Sequence, residues 1–140
     1  IRQTDLVNRL YSTFISTEFM DATMKFSSLE FKDYEDYVNK YGPITRAGKY
    51  GPTFNDTPEL KSLLIVDNFF NQVGILLHRE LINGDLVRDV FGYRVEVLWK
   101  KAEPLIQGFR QELNQPEAGK WFEYLCNEMK KREQRGVKNG

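Results

Sequence analysis

The sequence predicts an all-α fold: a single-domain bundle of five to six helices with one long Gly/Pro loop at about residues 42–56. Two observations carry this. Apolar residues recur at three- and four-residue steps over nearly the whole chain, and the β-branched residues nowhere alternate with a sustained period of two. Start and stop residues then divide the chain. Leu6, Val7, Leu10, Phe14 and Ile15 follow Thr4, a good N-cap type with an acid behind it. Ser16 restarts the helix through Phe19, Met20 and Met24. Ser27 and Glu30 have capping-box spacing ahead of a short helix whose inward stripe is Tyr34, Tyr37, Val38 and Tyr41, and Gly42 supplies a left-handed stop.

The loop that follows, "GPITRAGKYGPTFND", is broken by glycine and proline, and the residue before each proline is driven from helical angles. Its "KYGP" occurs twice, at 40–43 and 49–52, too short a unit to define a repeat. Thr57-Pro58-Glu59 is a helix start in three parts: a cap, a proline at the first position and an acid in the first turn. The segment from there to about Arg79 is apolar round most of its circumference, which assigns it to the bundle centre. Asn83-Gly84 closes a turn and Asp85 begins the next helix. Pro104 interrupts it or starts a further segment with Leu105, Ile106, Phe109 and Leu113 inward. After Asn114-Gln115-Pro116, a last helix carries Trp121, Phe122, Leu125 and Met129 on one face and frays into "KKREQRGVKNG". The reading is one helical domain, residues 1–129, and a basic tail, 130–140.

The 140 residues suffice for one core, with 41% hydrophobic and 14% aromatic side chains. Twenty basic and twenty acidic groups cancel, which counts against a duplex-DNA binder. The lone Cys126 cannot form an internal disulfide, in keeping with a reducing compartment and a cytoplasmic location. No uninterrupted apolar run reaches the roughly 18 residues of a membrane span. The chain opens on Ile1 rather than methionine, which reads as a trimmed or processed product and leaves a targeting or membrane segment upstream open.

"FGYRVEVLWKK" poses the main question. At 100° per residue, Leu86, Val87, Val90, Phe91, Val97, Leu98 and Ala102 gather on one side, and Arg94 projects from its centre. Burying a guanidinium without partners costs several kcal/mol or more. The apolar helix offers Asp67, Asn71 and Gly74 along one stripe, so Arg94 is expected to face Asp67, with Asn71 or Asn68 adding hydrogen bonds. The structural reading is a buried ion pair fixing helix register; the functional one is an anion pocket with Arg94 at its base. The third is a side chain that snorkels to water. Gly74 is expected to let another backbone approach closely.

Other chemistry is sparse. His78 is the only histidine, without metal-ligand spacing, and a Cys126–His78 dyad lacks any nucleophile-elbow context. The acids of "EFKDYEDY" look like a solvated face. No phosphate-cradling glycine motif occurs, and no cofactor or metal is called for. Two surfaces could meet partners: the loop with Tyr41, Arg46, Lys49 and Tyr50, and the basic tail, where Lys130, Lys131, Arg132, Arg135 and Lys138 outnumber Glu128 and Glu133. Trp99 falls on the edge of the polar side of its helix, where an aromatic marks an interface.

"FNDTPELKSLLIVDNFFNQVGILLHRELI", "FGYRVEVLWKK" and "WFEYLCNEM" together resemble an uncharacterised bacterial family, number 4760 in the domain-of-unknown-function series. The likeness spans about Leu6 to Met129 and leans on Asp67, Asn68, Gly74, Arg94 and Trp99. It implies an all-α fold and, since members often carry a transmembrane helix ahead of this domain, tethering to the inner membrane. It transfers no activity. The function expected is therefore a regulatory or accessory module that binds protein or forms a homo-oligomer, reaching a membrane only through an upstream segment or weakly through the tail. The alternatives are a small-molecule or nucleotide-processing enzyme with a cleft around Arg94 and Asp67, and nucleic-acid binding through residues 40–52 and the tail.

Overall fold

A computed structural model describes residues 2–139 of the chain, with side chains to Gly136; Ile1, Gly140 and the side chain of Lys138 in the basic tail lie outside the described residues. Six helices and a small hairpin follow one another as α1 (Gln3–Phe14), α2 (Thr17–Ser28), α3 (Tyr34–Tyr41), β1 (Thr45–Gly48), β2 (Gly51–Phe54), α4 (Pro58–His78), α5 (Gly84–Glu112) and α6 (Lys120–Asn139). The fold is the helical bundle that the periodicity predicts.

Most boundaries are set by residues whose side chains bind the free amides of a first helical turn. Ser16 Oγ accepts from the Phe19 amide at 3.2 Å, Thr57 Oγ1 from Leu60 at 3.2 Å, and Asn83 Oδ1 from Asp85 and Leu86 at 2.9 and 3.1 Å. Two starts differ from expectation. Helix α1 begins at Gln3 behind Arg2, with no side-chain cap, rather than at Thr4. The cap of α3 is Asp33, which accepts from the Asp36 amide at 2.8 Å; Ser27 lies in the last turn of α2 instead.

The Gly/Pro loop holds the antiparallel hairpin that alternation did not reveal. Strands of four residues are too short to establish a period, and the pairing is closed by Lys49 and Tyr50 at the tip with Gly51 at a φ of +113°. Helix α5 runs through Pro104 without a break. The proline removes one amide from the ladder, but Ala102, Leu105 and Ile106 around it are all buried, and that packing holds the helix continuous. Helix α6 likewise continues to Asn139, taking in the basic segment read from sequence as a fraying tail.

Helix α4 is the centre, packed chiefly on α6 and α2 and more lightly on α5, while α6 also lies along α5. By length and composition it could cross a membrane, yet Leu60, Leu63, Val66, Phe69, Phe70, Val73 and Leu77 are buried within the bundle. An aromatic cluster ties the layers together. Phe19 meets Phe69 at 4.6 Å between ring centres, Phe14 meets Phe91 at 5.0 Å, and Phe122 meets both Phe70 and Trp99 at 5.1 Å. Fully burying each such ring contributes about 2–3 kcal/mol.

Candidate functional site

The stripe Asp67–Asn71–Gly74 does meet another helix, but that helix is α6. Gly74 lies against the backbone of Trp121: a Cβ there would sit 2.8 Å from the Trp121 carbonyl carbon. One turn back, Asn71 Oδ1 accepts the Phe122 amide at 2.8 Å. Asp67, a further turn back, faces the start of α6 near Gly119, whose φ of +67° turns the chain into the helix. Burial pushes the Asp67 carboxyl up to about 6; the Asn71 amide beside it and the Arg110 charge offset only part of that. Asp67 Oδ1 is buried and has no hydrogen-bond partner among the described residues.

The guanidinium of this junction is Arg110, which sequence reasoning missed. Its Nε donates to the Ala118 carbonyl at 2.6 Å and its Nη2 to Glu123 Oε1 at 3.1 Å, joining the end of α5 to the start of α6. The signal was an arginine directly after the inward Phe109, on the edge of the buried stripe. Beside Asp67 lies a cavity of about 80 Å³ walled by Ile44, Leu63, Leu105, Phe109 and Gly119 among others. Asp67 is the one titratable group in its lining. The lining of this cavity offers Asp67 no second acid or nucleophile with which to divide an acid–base step.

Arg94 is elsewhere, and the expected Arg94–Asp67 pair does not form. Arg94 is exposed; its Nη2 reaches Thr23 Oγ1 on α2 at 3.5 Å, and its guanidinium lies 5.7 Å from the centre of the Phe14 ring. Asn68 is exposed as well. The physical reason is helical phase. The buried stripe of α5 is Val87, Phe91, Val95, Leu98, Trp99 and Ala102, rotated by about 70° from the centre assigned by apolarity alone, at 100° per residue. Trp99 is thus a core residue at 4% exposure and not part of an interaction surface. Leu86 and Val97, counted as core from sequence, join Tyr93 on an outward stripe: Tyr93 is 78% exposed, Val97 47% and Leu86 38%, while Val90, on the same line, is half-buried against the core. Arg94 stands on the boundary between the two stripes. Helix α2, which receives its hydrogen bond, carries the exposed Met20 and Met24 on either side of Thr23.

The loop residues also separate. Tyr41 is half-buried, its ring 5.2 Å from that of Tyr37 and its hydroxyl accepting the Glu30 amide at 3.1 Å, so it belongs to the packing of α3. Arg46, Lys49 and Tyr50 are exposed on the hairpin. Cys126 is fully buried, and burial pushes its thiol up to about 11, the opposite of what a nucleophile needs. His78 is exposed and rests on the rings of Trp121 and Tyr124.

Among known families, the model of a domain of unknown function, DUF4760, matches residues 4–129. No curated protein and no solved structure matches the chain.

Proposed function

The chain belongs to DUF4760, and from that premise we propose that the domain works by binding protein through the outer face of α5. One observation carries the reading: Leu86, Tyr93 and Val97 are exposed along one line of α5 with the half-buried Val90 between them, and α2, whose Thr23 meets Arg94, carries the exposed Met20 and Met24. Single exposed apolar residues are ordinary, but an aligned set with a tyrosine at its middle is the composition of a contact surface. The bundle leaves Leu86, Tyr93 and Val97 exposed, because α5 already buries the opposite stripe. The enzyme alternative depended on a cleft shared by Arg94 and Asp67, and those residues lie apart. Nucleic-acid binding keeps Arg46, Lys49 and Tyr50, yet Arg132 of the tail is engaged by Asp85 at 2.9 Å and Lys131 by Glu128 at 3.4 Å, on a chain of zero net charge.

Photo-crosslinking in the native cells tests this directly. A benzoylphenylalanine at position 93 should give protein adducts, and one at the exposed position 68 on α4 should not. Absence of any adduct from position 93 would overturn the reading.

A further inference from the structure

The partner that this face fits best is a second copy of the same chain. We infer that two copies associate through a parallel pairing of their α5 helices, with Asp89 of each meeting Arg94 of the other. The inference rests on the reading of the α5 face as a contact surface and adds its occupant and alignment.

The argument begins with spacing. Leu86, Val90, Tyr93 and Val97 are separated by four, three and four residues, the step of a helix-pair seam. In the corresponding heptad Val90 and Val97 take the a positions, Leu86 and Tyr93 the d positions. β-branched residues at a with Leu at d favour two parallel strands. The inward stripe centred on Val95 falls opposite this seam; Val90 forms its half-buried floor, and Leu86, Tyr93 and Val97 stand exposed for a partner.

Charge then selects the alignment. One flank of the seam, the g positions, is acidic: Asp89 and Glu96. The other, the e positions, is basic: Arg94 and Lys101. In a parallel pair each g residue meets the e residue five positions on in the partner helix, which sets Asp89 against Arg94 and Glu96 against Lys101, each twice by symmetry. An antiparallel pair would set acid against acid and base against base. Arg94 and Asp89 are both exposed, and neither has an ion pair among the described residues. Lys101 is already held by the Ser27 carbonyl at 2.8 Å, which makes its pair the lesser one. This also explains a cation at the edge of an oily stripe: Arg94 flanks a seam rather than occupying a core. Lys100 at the next d position ends the seam, so the contact is short. The helices are preformed by the bundle, however, and no nucleation cost is added on pairing.

Sedimentation equilibrium on the whole chain, from about 1 μM to about 1 mM, should show a monomer–dimer equilibrium in the micromolar range expected of a small interface. Asp89→Arg and Arg94→Asp should each weaken it about tenfold or more, and the double variant should restore it; circular dichroism of each confirms that the bundle is intact. Leu86→Cys and Tyr93→Cys should each form disulfide-linked dimers, because only a parallel pairing brings both positions against their own copies. A strict monomer across the range would overturn the inference, as would failure of the double variant to recover or self-linking at only one of the two cysteine positions. Adducts to other proteins from position 93 together with a strict monomer would overturn self-association alone. No adducts at all would remove the contact surface with it.

Discussion

Asn71 caps α6 from a different helix: its Oδ1, on α4, accepts the Phe122 amide at 2.8 Å. Helix α6 begins behind Gly119, which has no side chain to offer, so the acceptor comes from across the interface. Asn71→Ala is therefore expected to cost about 1–2 kcal/mol, the worth of a cap plus the penalty of a half-buried amide left unpaired. Urea unfolding should show a lower midpoint at unchanged slope.

The same interface fixes the outcome at Gly74. A methyl group there meets the backbone of Trp121 rather than the end of a flexible side chain, so relief requires α4 and α6 to move apart. Gly74→Ala gains helix propensity of about 1 kcal/mol but should still lower stability by about 2–3 kcal/mol net, overpacking being the larger effect. A rise in thermal midpoint would show that the two helices sit further apart than described.

Asp67 gives the bundle a stability that depends on pH with a sign opposite to most carboxylates. Its folded value of about 6 lies above its ordinary value of 3.8, so the native state holds the proton more tightly than the unfolded chain does. Its contribution is most favourable below pH 3.8 and is lost as pH rises towards 6. Asp36 and Asp56, held low by Lys32 and Lys61, run the other way, but both lie near the surface, half-buried and exposed respectively, and their effect is weak. Asp67→Asn should thus stabilise the protein by about 2 kcal/mol at pH 7 and by little at pH 4. The difference between variant and parent, followed by denaturant titration at each pH, isolates this residue.

Cys126 should be inert. With the thiol buried and raised to about 11, an aromatic disulfide reagent at pH 8 should modify it only as fast as the bundle opens, so its labelling rate is expected to track the unfolding equilibrium across urea concentrations. Immediate stoichiometric labelling in native buffer would contradict the packing of α6 against α4 and α5.

What was legible in the sequence was local. Thr57-Pro58 and Ser16 mark their helices through bonds made within one turn, and Gly42 and Gly74 were recognised because a missing side chain has few uses; Asn83, read as closing a turn, is the cap of α5. The stripe of Asp67 and Asn71 was visible as a polar line needing a partner, but which helix supplies that partner is decided by tertiary packing, and α6 was not distinguishable from α5. The phase of α5 failed for a related reason. Its apolar surface is wider than one helix can bury, so averaging over Leu86, Val90 and Val97 placed the core centre on Arg94 and moved Trp99 outside. Arg110 was overlooked because nothing local separates it from other arginines near helix ends.

Arg94 and Arg110 of α5 therefore separate in a direct comparison. Arg110 has only 14% of its side chain exposed, and its removal strands the Ala118 carbonyl and leaves Glu123 without its cation. Arg110→Ala should cost about 2–3 kcal/mol, since breaking a half-buried charged network leaves its partners unpaired. Arg94 makes one long hydrogen bond and one ring contact at the surface, so Arg94→Ala should change stability by less than about 1 kcal/mol. Both are to be measured by urea unfolding at a concentration low enough that association makes no contribution. A large loss at Arg94 with a small one at Arg110 would mean that α5 is rotated back towards the phase its apolar residues first suggest, and the outward seam would disappear with that rotation.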